Sequence, residues 1–153
     1  MVKLINYNIL FKYIHIYINM VDVVSINIIG DIDELFDFMQ DRNKINEWSL
    51  GIKWINNGHE ITKGISNYDD SISYLKITNK KDIKQITYWI GNDINNLVPR
   101  IYVYIIKTDK YYINKLSMVS YRTQDMDNER WLGLKESHKK EVIIIKKLFE
   151  KLY

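Results

Sequence analysis

The sequence predicts one α+β domain in which a curved antiparallel sheet is covered by a single long C-terminal helix. Turn residues recur between short β-rich runs from about residue 52 to residue 122, and an amphipathic helical pattern fills roughly the last 25 residues. No Pro- or Ser-rich linker interrupts the 153 residues, a length that suits one domain with a substantial core.

Composition narrows the functional classes. Hydrophobic residues make up 46% and charged residues 27% of the chain, which is typical of a globular protein. The formal net charge of +3 is small and the Lys residues are spread along the chain, so we expect no nucleic-acid partner. The chain has no Cys, which excludes disulfides, zinc–thiolate sites and thiol catalysis and fits a reducing compartment. We therefore expect a cytoplasmic protein.

The first twenty residues do not fit the pattern of the rest. Residues 11–18 alternate as a strand would, and Lys12 breaks a stretch that falls short of the ~20 apolar residues of a membrane span. Residues 1–20 are either an extension with an extra strand or lie upstream of a true start at Met20, and stable membrane insertion is not expected. The domain is assigned to residues 21–153. A chain that starts at Met20 is expected to fold with nearly unchanged stability.

The domain begins with a strand followed by two short helices. The β-rich run at 23–29 ends at Gly30, and Asp31 then has the position of a helix N-cap, with Glu34 three residues on as its capping-box partner. Apolar residues follow at i, i+3, i+4 and i+7 from Ile32, which predicts a short amphipathic helix. A second short helix is expected near 44–48.

Hairpin signals dominate the middle of the chain. Asn57-Gly58 predicts a type I′ turn between two short strands, and further turn clusters lie at 68–71, 78–82, 91–96 and 108–110. Candidate strands lie near 60–67, 71–78, 84–90, 99–107 and 111–122. Strands joined by short turns pair antiparallel, so a meander of about six or seven strands is expected.

The C-terminal helix has the clearest pattern. It is expected over 127–151, capped by Asp125 or Asp127. An apolar stripe with one histidine recurs along it at spacings of three and four: Trp131, Leu134, His138, Val142, Ile145, Phe149 and Leu152. A helix of this length reaches about 37 Å, enough to cross the face of a small sheet.

This order of elements resembles the START-like, or SRPBCC, superfamily, whose members include polyketide cyclase/dehydrase-like and lipid-transfer proteins. Local similarities, which cover about residues 22–152, are Asp41-Arg42-Asn43 leading to Trp48 and Gly51, Val98-Pro99-Arg100, and Arg130-Trp131 followed by His138, Glu141, Leu148 and Glu150. The resemblance implies a helix-grip fold with a cavity for an apolar ligand between sheet and helix. It implies no particular catalytic residue, because one fold hosts carriers, cyclases and regulators alike.

His138 is the most informative candidate site residue, since it lies near the centre of the apolar stripe. It is either a polar anchor or proton donor in the cavity, or a core histidine bonded to a Tyr hydroxyl or a backbone carbonyl. Strand tyrosines suit a cavity wall that orients a mostly apolar ligand, although packing or surface positions are the alternative for each. The predicted cavity-lining residues are His138, Trp131, Leu134, Val142, Ile145, Tyr88, Tyr102, Tyr104, Tyr112, Leu116 and Met118.

Other polar motifs indicate turns and caps. His59-Glu60 lacks the spaced partners of a metal site, and Asp69-Asp70 is typical of a turn. No phosphate loop, nucleophile elbow or dinucleotide fingerprint is present in the sequence, so neither a metal nor a cofactor is expected.

Three functions remain open. The first is binding of a hydrophobic or aromatic small molecule, the second is a cofactor-free cyclase- or dehydratase-type enzyme that uses His138 and a tyrosine, and the third is a structural domain with a collapsed cavity. Two or more convergent polar groups with shifted pKa values would favour the enzyme, and His138 alone among apolar walls would favour the binding protein.

Overall fold

A computed structural model describes residues 20–151, and the expectations for residues 1–19 lie outside this part of the chain. The strands are β1 (Val21–Ile29), β2 (Ile52–Ile55), β3 (Thr62–Ser66), β4 (Ile72–Lys80), β5 (Gln85–Gly91), β6 (Val98–Lys107) and β7 (Ile113–Tyr121). The helices are α1 (Ile32–Gln40), α2 (Ile45–Trp48) and α3 (Asn128–Glu150), with a 3₁₀ turn at Lys81–Ile83.

The seven strands form one sheet in the order β1-β7-β6-β5-β4-β3-β2, and every neighbouring pair is antiparallel. Residues that alternate along each strand line the concave face, as the pleat requires. On β7, for example, Asn114, Leu116, Met118 and Ser120 are buried, whereas Lys115 and Tyr121 are exposed. The core therefore lies in the concavity, under the helices.

The caps and helices follow the sequence closely. Asp31 Oδ1 accepts from the backbone N–H groups of Asp33 and Glu34 at 2.8 and 3.1 Å, which starts α1. Asp127 Oδ1 accepts from Arg130 N at 2.8 Å and starts α3. The long C-terminal helix, the two short helices and the antiparallel meander expected from the sequence are all confirmed.

Side chains of the helices cover both edges of the sheet. At the β2 edge, the Asn46 side chain bonds the N–H and the carbonyl of Trp54 at 2.7 and 2.6 Å. At the β1 edge, Lys146 donates to the Asn27 carbonyl at 2.7 Å, and Glu150 accepts from Ile29 N at 2.8 Å. Each contact satisfies backbone groups that an edge strand would leave unpaired, and the pair of contacts anchors α2 and the end of α3.

One turn prediction is wrong. A type I′ turn needs positive φ at both central residues, and only Gly58 has it, at 80°. A six-residue loop instead joins β2 to β3, in which the Asn56 and Asn57 side chains accept from the backbone N–H groups of Gly58 and His59. Such Asx turns let asparagine direct the chain without left-handed backbone.

Candidate functional site

A cavity of about 90 Å³ lies between the concave face of the sheet and the N-terminal half of α3. Its walls come from β2–β7, α2, α3 and the loops beside them. The apolar lining is Ile45, Trp48, Ile52, Trp54, Leu75, Tyr88, Ile90, Ile101, Met118, Met126 and Leu134, and the polar side chains on the wall include Ser120, Arg100, His138 and Glu141.

Trp54 forms part of the β2 wall because β3 has no side chain beneath it. A Cβ placed on Gly64 would lie 2.5 Å from the Trp54 ring. Gly64 pairs directly with Trp54 across the two strands, so the ring lies over the bare backbone of β3.

His138 is buried and its side chain is neutral at pH 7. Only 3% of it is exposed, and its Nδ1 lies 3.2 Å from Ser120 Oγ. Burial lowers the pKa of His138 from 6.5 to about 4, because the imidazolium would lose its hydration. The histidine therefore presents an uncharged polar group to the cavity, and its partner is a serine hydroxyl, not the Tyr hydroxyl or backbone carbonyl considered from the sequence.

Glu141 lies one helical turn after His138 and is also buried, with 5% exposed. Its Oε1 accepts from Leu50 N at 2.7 Å. Burial raises the pKa of Glu141 from 4.5 to about 7, although the backbone N–H groups of Leu50 and Gly51 partly oppose the shift. Its Oε2 lies 3.9 Å from His138 Nε2, beyond hydrogen-bond distance. Both pKa shifts favour the uncharged form of the group. The Glu141 carboxyl can therefore release a proton near pH 7, and the neutral imidazole of the adjacent His138 can accept one.

Tyr88 has its hydroxyl turned to the backbone. The hydroxyl donates to the Met39 carbonyl, and the ring packs edge-on against Trp48 with centroids 6.1 Å apart. Burial raises the pKa of Tyr88, and the Glu141 carboxylate adds to the effect. The phenol is thus a buried apolar wall with its polar tip already paired.

Arg100 enters the cavity wall through a bulge. Across β5 and β6, Tyr88 pairs with Ile101 and Trp89 pairs with Pro99, which leaves Arg100 as an extra residue in β6. A bulge re-aims the local side chains, and Arg100 and Ile101 both line the cavity although consecutive strand residues normally point to opposite faces. The guanidinium Nη2 binds Asp125 Oδ2 at 3.0 Å.

Tyr68 lies where the cavity meets solvent. It lines the cavity while 58% of it is exposed, and its hydroxyl lies 2.7 Å from Ser137 Oγ on α3. The ring passes close to Gly51 and Gly133, where an added Cβ would lie 3.7 Å from it. Tyr68 thus bridges the β3–β4 loop and α3 at the mouth.

Of the residues predicted to line the cavity, the structure brings His138, Leu134, Tyr88 and Met118 together on its wall. Their contact with a ligand stays a prediction. Four others, Trp131, Val142, Ile145 and Leu116, are buried away from the cavity wall. Val142, Ile145 and Leu116 belong to the hydrophobic core and do not line the cavity.

The remaining three tyrosines point elsewhere. Tyr102 and Tyr104 alternate with buried Val103 and Ile105 and stack on each other on the opposite, convex face of the sheet, with centroids 6.5 Å apart. Tyr112 precedes β7, in a turn with φ of 59°, and borders a separate polar depression of about 400 Å³ beside Gly30.

Sequence reasoning did not assign Trp48, Arg100, Ser120 or Glu141 to the cavity. Two of them had a usable signal. Glu141 follows His138 by three residues on the same helix face, and Ser120 follows Met118 by two on the same strand face. Arg100 had none, because the bulge that turns it inward depends on the pairing of β5 with β6.

Comparison with known proteins agrees with this architecture. No protein-family model and no curated protein matches the sequence. Among solved structures, a START superfamily protein from Mycobacterium smegmatis superimposes with a TM-score of 0.63 and 9% identity, over 88% of this chain and 99% of that one. A conserved protein from Geobacillus kaustophilus gives a TM-score of 0.62 and 14% identity, over 86% and 96%.

The di-domain ARO/CYC BexL from the BE-7585A biosynthetic pathway gives a TM-score of 0.60 and 10% identity, over 85% of this chain and 46% of that one. At these identities the likeness concerns the fold. The chain has the START-like helix-grip fold, with a seven-stranded curved antiparallel sheet and a long C-terminal helix.

Among residues 20–151, no helix is long and apolar enough to cross a membrane. The same residues contain no group of three or more His, Asp or Glu side chains placed to hold a metal ion.

Proposed function

We propose that this chain binds a small apolar or aromatic molecule in the cavity between the sheet and the N-terminal half of α3. The observation that carries the proposal is a mostly apolar wall with a few convergent polar groups, among them the neutral His138. Ligand sites typically combine such walls with a small number of placed polar groups. The likeness to a START superfamily protein and to an ARO/CYC protein supports the same class.

The volume limits the size of the ligand. Pockets for drug-sized molecules measure about 300–1,000 Å³, and an engineered apolar cavity of about 150 Å³ admits benzene. A cavity of about 90 Å³ is smaller than both, so a single ring or a short chain fits only with adjustment of the half-buried Leu134 and of Tyr68 at the mouth.

A filled-cavity variant tests this proposal. Single-ring aromatic compounds are titrated into labelled protein, and the indole N–H resonances of Trp48 and Trp54 report binding. We expect saturable one-to-one binding that Leu134→Trp weakens about tenfold or more, because the larger side chain occupies the space. Leu132→Trp is the matched control, since Leu132 is 57% exposed on the same helix. Failure of every compound to bind would favour a structural domain, and equal binding by both variants would place the ligand outside this cavity.

The His138–Glu141 pair favours a second candidate, a cofactor-free proton-transfer enzyme. At pH 7 a neutral imidazole can accept a proton, and a carboxyl with a pKa near 7 can donate one. The two groups share one wall of the cavity, with 3.9 Å between Nε2 and Oε2. Two convergent groups with shifted pKa values are the feature that we expected of the enzyme. Binding remains the first proposal because Glu141 already has a structural partner in the Leu50 N–H.

A general-base probe separates the two candidates. In the ring opening of isoxazole, a single-ring compound, a base removes the C3–H proton as the N–O bond breaks. The enzyme hypothesis predicts acceleration that His138→Gln lowers about a hundredfold, with no change in His59→Gln, whose side chain lies on an exposed loop. A wild-type rate equal to that of His138→Gln would contradict the enzyme candidate and leave the binding proposal in place.

A further inference from the structure

The cavity wall carries buried hydrogen-bond donors that the protein does not satisfy. Arg100 Nε and Trp48 Nε1 are both buried and have no acceptor within residues 20–151. Both residues line the cavity. Buried donors are almost always paired in folded proteins, so two unpaired donors on the lining of one cavity favour an acceptor that lies outside residues 20–151.

Three acceptor side chains on or beside the wall already have partners. Glu141 Oε1 accepts from Leu50 N at 2.7 Å, and Ser120 Oγ lies 3.2 Å from His138 Nδ1. Asp125 is bound to the Arg100 guanidinium through Nη2, at 3.0 and 3.4 Å to its two oxygens, which leaves Nε free. None of these three side chains supplies an acceptor to Arg100 Nε or Trp48 Nε1.

The charged side chains that line the cavity are mostly basic. Arg100 and Arg130 line it against the single carboxyl of Glu141, and Asp125, beside the lining, is paired with Arg100. Burial raises the pKa of Glu141 to about 7, so this carboxyl is partly uncharged at neutral pH. His138 is uncharged there and adds no charge to the wall.

The Arg100 side chain is held in place by the backbone. The β-bulge between β5 and β6 turns Arg100 and Ile101 both toward the cavity, and Arg100 is only 9% exposed. Trp48 is held by α2, which Asn46 fastens to the β2 edge. Two donors fixed by separate elements are suited to an acceptor with two oxygens, and carboxylates form short, strong bonds with guanidinium groups.

We propose that the ligand of this cavity is a small carboxylic acid with an apolar or single-ring body, whose carboxylate binds Arg100 Nε and Trp48 Nε1. The apolar body lies against Ile90, Ile101 and Met118. This inference rests on the proposed binding function and names the chemical class of its ligand.

Three probes that differ only in their polar group test the inference: benzoate, benzamide and benzyl alcohol. We expect benzoate to bind wild-type protein about tenfold or more tightly than the other two, and to shift the Trp48 indole N–H resonance the most. Arg100→Met should reduce that preference to about twofold or less while benzyl alcohol affinity is kept. Arg42→Met is the matched control, because Arg42 donates to the His59 carbonyl and lies off the cavity wall.

A second variant covers the case in which Arg100→Met does not fold. Asp125→Asn leaves Arg100 in place and removes the carboxylate that competes for its guanidinium, so benzoate affinity should rise about threefold or more. Equal affinity of wild-type protein for all three probes would overturn the acid inference and keep the binding proposal. Failure of all three to bind would overturn both.

Discussion

The two halves of α3 carry the same apolar spacing but cover different interiors. In the C-terminal half, Val142, Ile145 and Phe149 pack into a dry core, and Phe149 meets the Phe38 ring with centroids 5.7 Å apart. In the N-terminal half, Leu134 and His138 face a cavity. Periodicity therefore fixes which side of a helix points inward, while the distance to the opposite wall decides whether the space beyond is filled.

Anchoring explains the difference between the halves. Lys146 and Glu150 fasten the C-terminal half to the backbone of β1, which draws that half onto the sheet. The N-terminal half is held by two contacts to loops at the cavity rim. Ser137 binds Tyr68, and Glu141, near the middle of α3, binds Leu50. The N-terminal half also contacts a strand, at His138 and Ser120 on β7, but through a side-chain pair and not through strand backbone.

The largest effect that separates the halves is expected from truncation of their apolar side chains. Phe149→Ala should lower the free energy of unfolding by about 3–5 kcal/mol, because Phe149 is 1% exposed and its loss leaves a void in the core. Leu134→Ala should cost clearly less than the ~2–5 kcal/mol of a fully buried leucine, since Leu134 is half-buried beside existing space. Denaturant unfolding monitored by far-UV circular dichroism measures both variants.

Equal losses in the two variants would break the comparison, since they would mean that both halves cover close-packed core. A loss below about 1 kcal/mol for Phe149→Ala would mean that the stripe does not meet the sheet at all. Leu132→Ala is the control, because Leu132 lies on the exposed face of the same helix. Surface substitutions of this kind usually change stability by less than about 0.5 kcal/mol.

Much of the fold could be predicted from the sequence. The caps at Asp31 and Asp127, the order of strands and the inward stripe of α3 follow from local patterns, and the structure confirms them. Local patterns work here because each depends on neighbours a few residues away. The six-residue β2–β3 loop shows the limit, since two Asx turns replace the short turn that Asn57-Gly58 suggests.

The site was harder to predict from the sequence, because it depends on contacts between residues that are distant in the chain. Alternation along β6 separates Tyr102 and Tyr104 from Val103 and Ile105 but does not say which set faces the helix. The bulge that turns Arg100 inward exists only in the pairing with β5. The sequence also gives no distance between α3 and the sheet, so core residues such as Ile145 could not be told from cavity residues.

The second prediction concerns the pH dependence of the cavity half. The folded chain holds the Glu141 proton more tightly than the unfolded chain, with a pKa of about 7 against 4.5. Between these values the folded state binds more protons, so this contribution to stability is complete below pH 4.5 and is lost as pH rises through 7. At about 1.4 kcal/mol per pKa unit the loss amounts to about 3 kcal/mol. The difference between wild-type and Glu141→Gln stability, measured by denaturant unfolding from pH 4 to 8, isolates it.

His138 provides the opposite slope as a control. Its pKa is lowered from 6.5 to about 4, so its contribution is lost as pH falls through that range and returns as pH rises. The difference between wild-type and His138→Gln should therefore rise where the Glu141 difference falls, and the two slopes offset in the wild-type chain. Flat difference profiles for both variants would show that this half of α3 is hydrated.

The smallest effect is expected at the mouth, where Tyr68 and Ser137 join a loop to the cavity half of α3 through hydroxyls 2.7 Å apart. Tyr68→Phe and Ser137→Ala remove the same hydrogen bond, so each should cost about 0.5–1 kcal/mol and the double variant little more than either. If the contact closes the mouth, the Trp48 indole N–H should exchange with solvent about two- to fivefold faster in the variants, as the same free energy implies. Ser117→Ala is the matched control, because it removes the Ser25–Ser117 hydroxyl pair, at 2.8 Å, on the convex face. Additive losses in the double variant, with unchanged Trp48 exchange, would show that the hydroxyls act separately and that the mouth opens without them.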